Sequence, residues 1–218
     1  MKAIVHLVLI LWSGALAAQG LPVLPAQDHA LWQAVGRVNA AGFRTREMCT
    51  GTLIAPDKVL TAAHCVAGTD GLGPLPHEFT FVAGWLRGTA ADNVAGASIW
   101  VHPRAYSEGQ LDLRFDVAVL TLERASAVPP LPLVGGDAAA PYGILGYSTD
   151  RPHMLGAAFD CAGGVSAAML RVECPVRPGN SGGPVVARVG AHWAVAGVVS
   201  AMGQTGALAV PVSRLTRP

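Results

Sequence analysis

The chain has 218 residues with 15 Lys and Arg against 14 Asp and Glu, a formal net charge of +1, and no charge excess points to nucleic acid or to a membrane surface. Apolar residues make up 51% and charged residues only 13%, which excludes a disordered chain and leaves enough apolar side chain for one large domain or two small ones. Val, Ala, Gly and Pro abound while long charged helical faces are missing, so many short strands joined by turns, an all-β class, are expected.

Met1 to Ala18 carries one lysine (Lys2), an apolar run from Ile4 to Trp12 and then Ala15-Leu16-Ala17, the small-x-small pattern of a cleavage site. Residues 1–18 read as a signal peptide cut after Ala17 or Ala18, and the run is well short of the roughly 20 apolar residues of a spanning helix. A secreted or periplasmic protein without membrane attachment follows. The next stretch, Gln19 to Asp28, reads as an extended arm, and Leu31 to Asn39 as a first strand that ends in a turn at Ala41-Gly42.

Thr52 to Ala55 and Lys58 to Thr61 read as two strands around a Pro56-Asp57 turn, with Cys49 and Cys65 flanking the hairpin. Phe79 to Trp85 and Gly96 to His102 are further strands, and Phe115 to Leu122 is the most apolar one of this half. Ala125 to Pro132 has three prolines and no periodicity, so a linker is placed at 125–132, between a first half at 19–124 and a second at 133–218. Beyond it, Tyr142 to Tyr147, Ala157 to Cys161, Met169 to Cys174, Val185 to Val189, Trp193 to Ser200 and Leu208 to Val212 read as strands. Two halves with about six strands each suggest two antiparallel six-stranded β-barrels, since closure removes exposed edges. Four cysteines in an exported chain suggest two disulfides, for which three pairings are formally open. The local pairing, Cys49 with Cys65 and Cys161 with Cys174, is the expectation.

The stretch Arg177 to Val185, R-P-G-N-S-G-G-P-V, offers a hydroxyl at Ser181 on a turn whose glycines leave the backbone free to bend sharply. The amides of Gly179 and Ser181 would converge there on an oxygen that becomes negative in a tetrahedral intermediate. A neutral serine is a weak nucleophile and needs a base. His64, at the end of an apolar strand and next to a cysteine that pins its backbone, is the candidate. Asp116 lies inside F-D-V-A-V-L, where burying a carboxylate is expensive unless something polar meets it, and orienting an imidazole would repay that cost. Asp112 is a rival with polar flanks.

T-A-A-H-C at 61 to 65, D-V-A-V-L at 116 to 120 and G-N-S-G-G-P at 179 to 184, in that order, resemble the chymotrypsin/trypsin superfamily of serine endopeptidases. The bacterial branch related to glutamyl endopeptidases looks nearest. The resemblance implies His64 as general base and acid, Asp116 as the group that holds its tautomer, and Ser181 as the nucleophile. It also implies that His64 and Asp116 lie in the first barrel, Ser181 in the second, with a peptide or protein substrate in the cleft between.

Two departures stand out. Asn180 occupies the position where the animal enzymes carry an aspartate that pairs with a new N-terminus, so activation by that ion pair is not expected. Val199 stands where the glutamate-cleaving relatives place a histidine, and His192 lies at the far end of that hairpin. The resemblance further implies a specificity pocket with Pro175 at its base and Val199, Ser200, Ala201 and Met202 along its wall. None of these carries a charge, so an entering Arg or Lys would be desolvated without a partner, and a small to medium apolar residue is favoured. No cofactor or metal and a monomeric state are expected. The alternatives are a catalytically silent homologue that uses the cleft as a protein-binding module, and a zinc enzyme on Cys49, His64 and Cys65, which lacks any C-x-x-C or H-E-x-x-H spacing.

Overall fold

A computed structural model describes residues 20–41, 46–68, 73–134 and 138–215, so the expected signal peptide and the turn at Gly42 lie outside the described residues. The first half holds β1 (Val35–Ala41), β2 (Arg46–Ala55), β3 (Lys58–Thr61), β4 (Phe79–Ala83), β5 (Asp92–Val101), a short hairpin of β6 (Tyr106–Ser107) and β7 (Gln110–Leu111), and β8 (Ala118–Leu122). Six of these close into a barrel in the order β1-β2-β3-β8-β5-β4. Alternation turns Phe79, Phe81 and Ala83 of β4 inward, where they meet Leu53, Leu60 and Leu120 from β2, β3 and β8. Successive residues of β3 and β8 are buried, because the same apolar cluster continues outside the barrel to Val195, Val198, Val210 and Val212 of the second half. Their buried residues on both faces are therefore covered.

The second half holds β9 (Tyr142–Ser148), β10 (Arg151–Cys161), β11 (Gly163–Ser166), β12 (Met169–Val172), β13 (Pro184–Val189), β14 (His192–Met202) and β15 (Ala207–Pro211). They form one seven-stranded sheet in the order β10-β9-β13-β14-β15-β12-β11. Its two edge strands, β10 and β11, are joined by Ala162 alone, so the sheet must curl until its edges meet. The Glu173 amide donates to the Ala162 carbonyl at 2.8 Å along that seam, and the Cys161–Cys174 disulfide clasps it. The other bridge, Cys49–Cys65, ties β2 to the turn after β3 across 16 residues and is worth about 3 kcal/mol in the chain-entropy model. Both pairings are the local ones expected. The expectation of two six-stranded barrels is met by one closed barrel and one curled sheet, whose additional strand β11 (G-G-V-S) is too polar to stand out in the sequence.

The expected extended arm is not free: its described residues up to Pro25 are extended and tied to the second sheet. Val23 bridges to Gly156, the Leu24 amide donates to the Leu155 carbonyl at 2.8 Å, and the Ala157 amide donates to Pro22 at 2.8 Å, so this segment covers the edge of β10. A 3₁₀ turn, Ala26–Trp32, replaces the first residues of the expected strand, which begins at Val35. Trp32 is the cause: it is buried against Phe159 and Trp193 of the second sheet, with ring centroids 5.6 and 5.9 Å away. The segment 125–132 is anchored to the first barrel through Leu131 N–H to Leu53 O (2.9 Å), and then to β14 through Val195 N–H to Pro132 O (2.8 Å).

Candidate active site

His64 sits in the 3₁₀ turn Ala63–Cys65 that follows β3, and the Cys49–Cys65 bridge fixes this turn against β2. Asp116 lies just outside β8 rather than within a strand: a 3₁₀ turn, Leu113–Phe115, precedes it and the strand begins at Ala118. Its carboxylate is fully buried and accepts three hydrogen bonds, from the His64 amide (3.0 Å, Oδ1), from His64 Nδ1 (2.7 Å, Oδ2) and from the Ser200 hydroxyl (2.5 Å, Oδ2). These partners answer the cost of burying the charge. Asp112 plays a different part. It caps the 3₁₀ turn through the Arg114 amide (3.0 Å) and pairs with the Arg114 guanidinium, which holds its carboxyl below the usual carboxylate range against the opposing effect of burial.

The Ser181 loop presses against the first barrel. The Thr50 amide donates to the Ser181 carbonyl at 2.9 Å, and the Thr50 hydroxyl donates to the Gly179 carbonyl at 2.8 Å while accepting the Tyr147 amide at 2.9 Å. Gly182 has φ +78, and a Cβ there would collide with the Thr50 carbonyl and the Thr61 hydroxyl and lie 3.0 Å from the Ala62 amide nitrogen. Only glycine lets the loop approach this closely, two residues from His64. Asn180 is buried and internally satisfied: its Oδ1 accepts the Arg177 amide (2.7 Å) and its Nδ2 donates to the Tyr147 carbonyl (2.8 Å). The side chain thus ties the Ser181 loop to itself at Arg177 and to β9 at Tyr147.

The Pro178 carbonyl accepts the Thr149 amide at 2.9 Å. Because the peptide is planar and trans, the Gly179 N–H points the opposite way. Among the described residues, neither that amide nor the Ser181 amide donates a hydrogen bond, so both are available to an oxyanion.

A cavity of about 260 Å³ opens beside Ser181, lined by Val176, Arg177, Pro178, Val199, Ala201 and Met202. Val199, Ala201 and Met202 are thus among its walls, whereas Pro175 and Ser200 are not. The Ser200 hydroxyl donates to Asp116. Strand alternation is the signal that separates Ser200 from its two neighbours. The Arg177 guanidinium lies 3.4 Å from Asp150, at the rim of the cavity. Cys49, Cys65 and His64 do cluster, with ligand atoms within 4.8 Å of one another, but both sulfurs are spent in the disulfide and offer no thiolate to a metal.

The trypsin family model matches residues 23–216. The chain belongs to the trypsin family. Among curated members it is 35% identical over 128 residues to "Trypsin" of Saccharopolyspora erythraea, covering 57% of this chain and 47% of that protein. It is 26% identical over 170 residues to "Serine protease 23" of Rattus norvegicus, covering 65% and 43%. The chain thus spans about half the length of the curated relatives it matches. Its fold is similar to that of the thermostable serine protease AL20 from an extremophilic microorganism (TM-score 0.69, 18% identity, 84% of this chain and 92% of that one). Protease Anisep from Arthrobacter nicotinovorans is comparable (TM-score 0.69, 16% identity, 84% and 91%). Within this trypsin-family domain, the motif residues of the first barrel and of the curled sheet meet at the contact between the two halves.

Proposed function

We propose that the chain is an exported serine endopeptidase that hydrolyses peptide bonds through an acyl-enzyme, with His64, Asp116 and Ser181 as its triad. The observation that carries the reading is the 2.7 Å bond between His64 Nδ1 and a buried carboxylate whose other partners are already in place. Nδ1 donates there, which leaves Nε2 as the acceptor that takes the Ser181 proton. Ser181 Oγ then attacks the scissile carbonyl, and the Gly179 and Ser181 amides receive the oxygen that becomes negative. His64 returns the proton to the leaving amine, and a water molecule, deprotonated by the same imidazole, releases the acyl group. Neither metal nor cofactor is required.

Peptide or protein substrates enter between the first barrel (19–124) and the second half (133–218), joined by residues 125–132. Within the family we place the chain in the bacterial branch related to glutamyl endopeptidases. Its preference at the residue before the scissile bond is for small to medium apolar side chains, because Val176, Pro178, Val199, Ala201 and Met202 wall the cavity beside Ser181 and the one charged lining residue, Arg177, is paired with Asp150. The discrimination among apolar residues is modest, since a methylene in such a pocket is worth about 1–3 kcal/mol. Export by residues 1–18 places the protein in a periplasm or outside the cell as a monomer, and no helix among the described residues is long and apolar enough to cross a membrane.

A cleavage profile on peptides ending in Arg, Glu, Leu, Val, Ala and Phe tests the reading. Cleavage after Ala, Val or Leu, abolished by Ser181→Ala, is expected. Dominant cleavage after Arg or Glu contradicts the pocket, and activity retained by Ser181→Ala contradicts the triad.

A further inference from the structure

Around Phe115 the chain gathers more positive charge than it neutralises. The guanidinium carbons of Arg104, Arg214 and Arg114 lie 3.9, 5.4 and 5.9 Å from the ring centroid. Arg114 is neutralised by Asp112. Arg104 and Arg214 form no ion pair among the described residues, although the Asp112 carboxylate that holds Arg114 also feels Arg104, and both line one cavity of about 340 Å³ together with His102, Pro103 and Phe115. The buried His102 ring stacks on Phe115, with centroids 4.9 Å apart, and its Nδ1 accepts the Arg104 amide at 3.1 Å, which leaves the hydrogen of the neutral ring on Nε2. Burial and then the charges of Arg104 and Arg214 disfavour its protonated form.

The elements that meet here come from different parts of the fold. Arg104 follows β5 of the barrel, Phe115 ends the 3₁₀ turn before Asp116, and Arg214 ends the 3₁₀ turn Val212–Arg214 that leaves β15 of the curled sheet. Two like charges thus line one cavity where the two halves meet. Repulsion of this kind is relieved by an anion placed between them, and planar guanidiniums match a tetrahedral oxyanion with pairs of parallel hydrogen bonds.

We propose that this cavity is a binding site for a tetrahedral oxyanion, a sulfate or phosphate group held between Arg104 and Arg214. The site is separate from the cavity beside Ser181, and it stands whether or not the chain is a protease. Bound there, the ion ties the C-terminal turn to the barrel, so its occupancy is read as stability.

The test is a titration of thermal stability with sodium sulfate, with chloride replacing it at constant ionic strength, on the wild type and on the Arg104→Ala/Arg214→Ala double variant. Sulfate is excluded from protein surfaces and stabilises any fold in proportion to its concentration, so both proteins share a linear rise. The wild type alone is expected to add a saturating component of at least about 2 °C at about ten times the half-saturating concentration. If the double variant lacks the wild-type circular dichroism, Arg104→Gln at its exposed position gives the same comparison, with half-saturation weakened about tenfold. A wild type with only the linear rise, or variants with the wild-type curve, overturns the proposal. Dextran sulfate at matched sulfate content separates the two sources: half-saturation at least about tenfold lower than that of the free ion marks a polymer-borne group, and equal half-saturation marks the free ion.

Discussion

Thr50→Val is the substitution that most directly probes how the two halves are held in register at the candidate site. Valine matches threonine in shape, so packing is conserved and only the hydroxyl is lost. In the wild type that hydroxyl serves two buried backbone groups, the Gly179 carbonyl at 2.8 Å and the Tyr147 amide at 2.9 Å. Each orphaned group costs about 1–3 kcal/mol, so the pair costs about 2–6 kcal/mol. At roughly 2–4 °C per kcal/mol for a chain of this size, the melting temperature should fall by at least about 4 °C. The Gly179 carbonyl belongs to the loop that carries Ser181, and loosening that loop spoils the aim of the two free amides without removing either. Loss of a whole oxyanion donor costs about 10²–10³ in kcat, so a misaimed one should cost roughly tenfold. Calorimetry and initial rates on a peptide ester measure both effects, and Thr50→Ser, which keeps the oxygen, should recover most of each. A Thr50→Val protein with wild-type melting temperature and kcat would refute the reasoning.

Gly182→Ala places a methyl against the Thr50 carbonyl and the Thr61 hydroxyl in a left-handed conformation, so it should cost more than the roughly 1–2 kcal/mol of the conformation alone and lower kcat strongly. Gly190→Ala, with φ +60 and open space around its Cβ, should cost only that conformational amount, and thermal melts of the two variants test the contrast. Asp92 accepts hydrogen bonds from Arg124, Ser126 Oγ and the Asn93 and Ala127 amides; Arg124 foremost, aided by these neighbours against the effect of burial, holds its carboxyl well below its ordinary value of 3.8. A depressed carboxylate contributes stability that is complete above its unfolded pKa and lost as pH falls through the folded one, so Asp92→Asn should be less stable at neutral pH and flatten the loss of stability below about pH 4. Parallel pH dependences of the melting temperature in wild type and Asp92→Asn would contradict that assignment.

Much of this architecture is legible in the residues, and the places where it is not share a physical cause. Strands with a clear apolar run, such as Ala118–Leu122 and Tyr142–Ser148, fall where their composition places them, because burial and β-branching act within the segment. Asp116 stands out in sequence because a carboxylate in an apolar run demands partners, and the three it accepts come from two elements. The Trp32 turn and the covering of the β10 edge by residues 22–24 depend on a sheet formed more than a hundred residues later, so no local pattern marks them. Thr50 gives no signal at all: a threonine in a strand is ordinary, and only the approach of the Ser181 loop gives its hydroxyl two partners. Distance along the chain from Ser181 marks Pro175, and the strand after it marks Val199 to Met202, but neither says which way a side chain points, and the Ser200 hydroxyl is directed to Asp116.

Whether Ser181 is a nucleophile activated by His64 is tested most directly by labelling with a fluorophosphonate followed by peptide mapping. One adduct, on Ser181, is expected, formed by the wild type and absent from Ser181→Ala and from a folded His64→Ala. A wild-type protein with a cooperative melt that takes no label, or that carries the label on another serine, would contradict it.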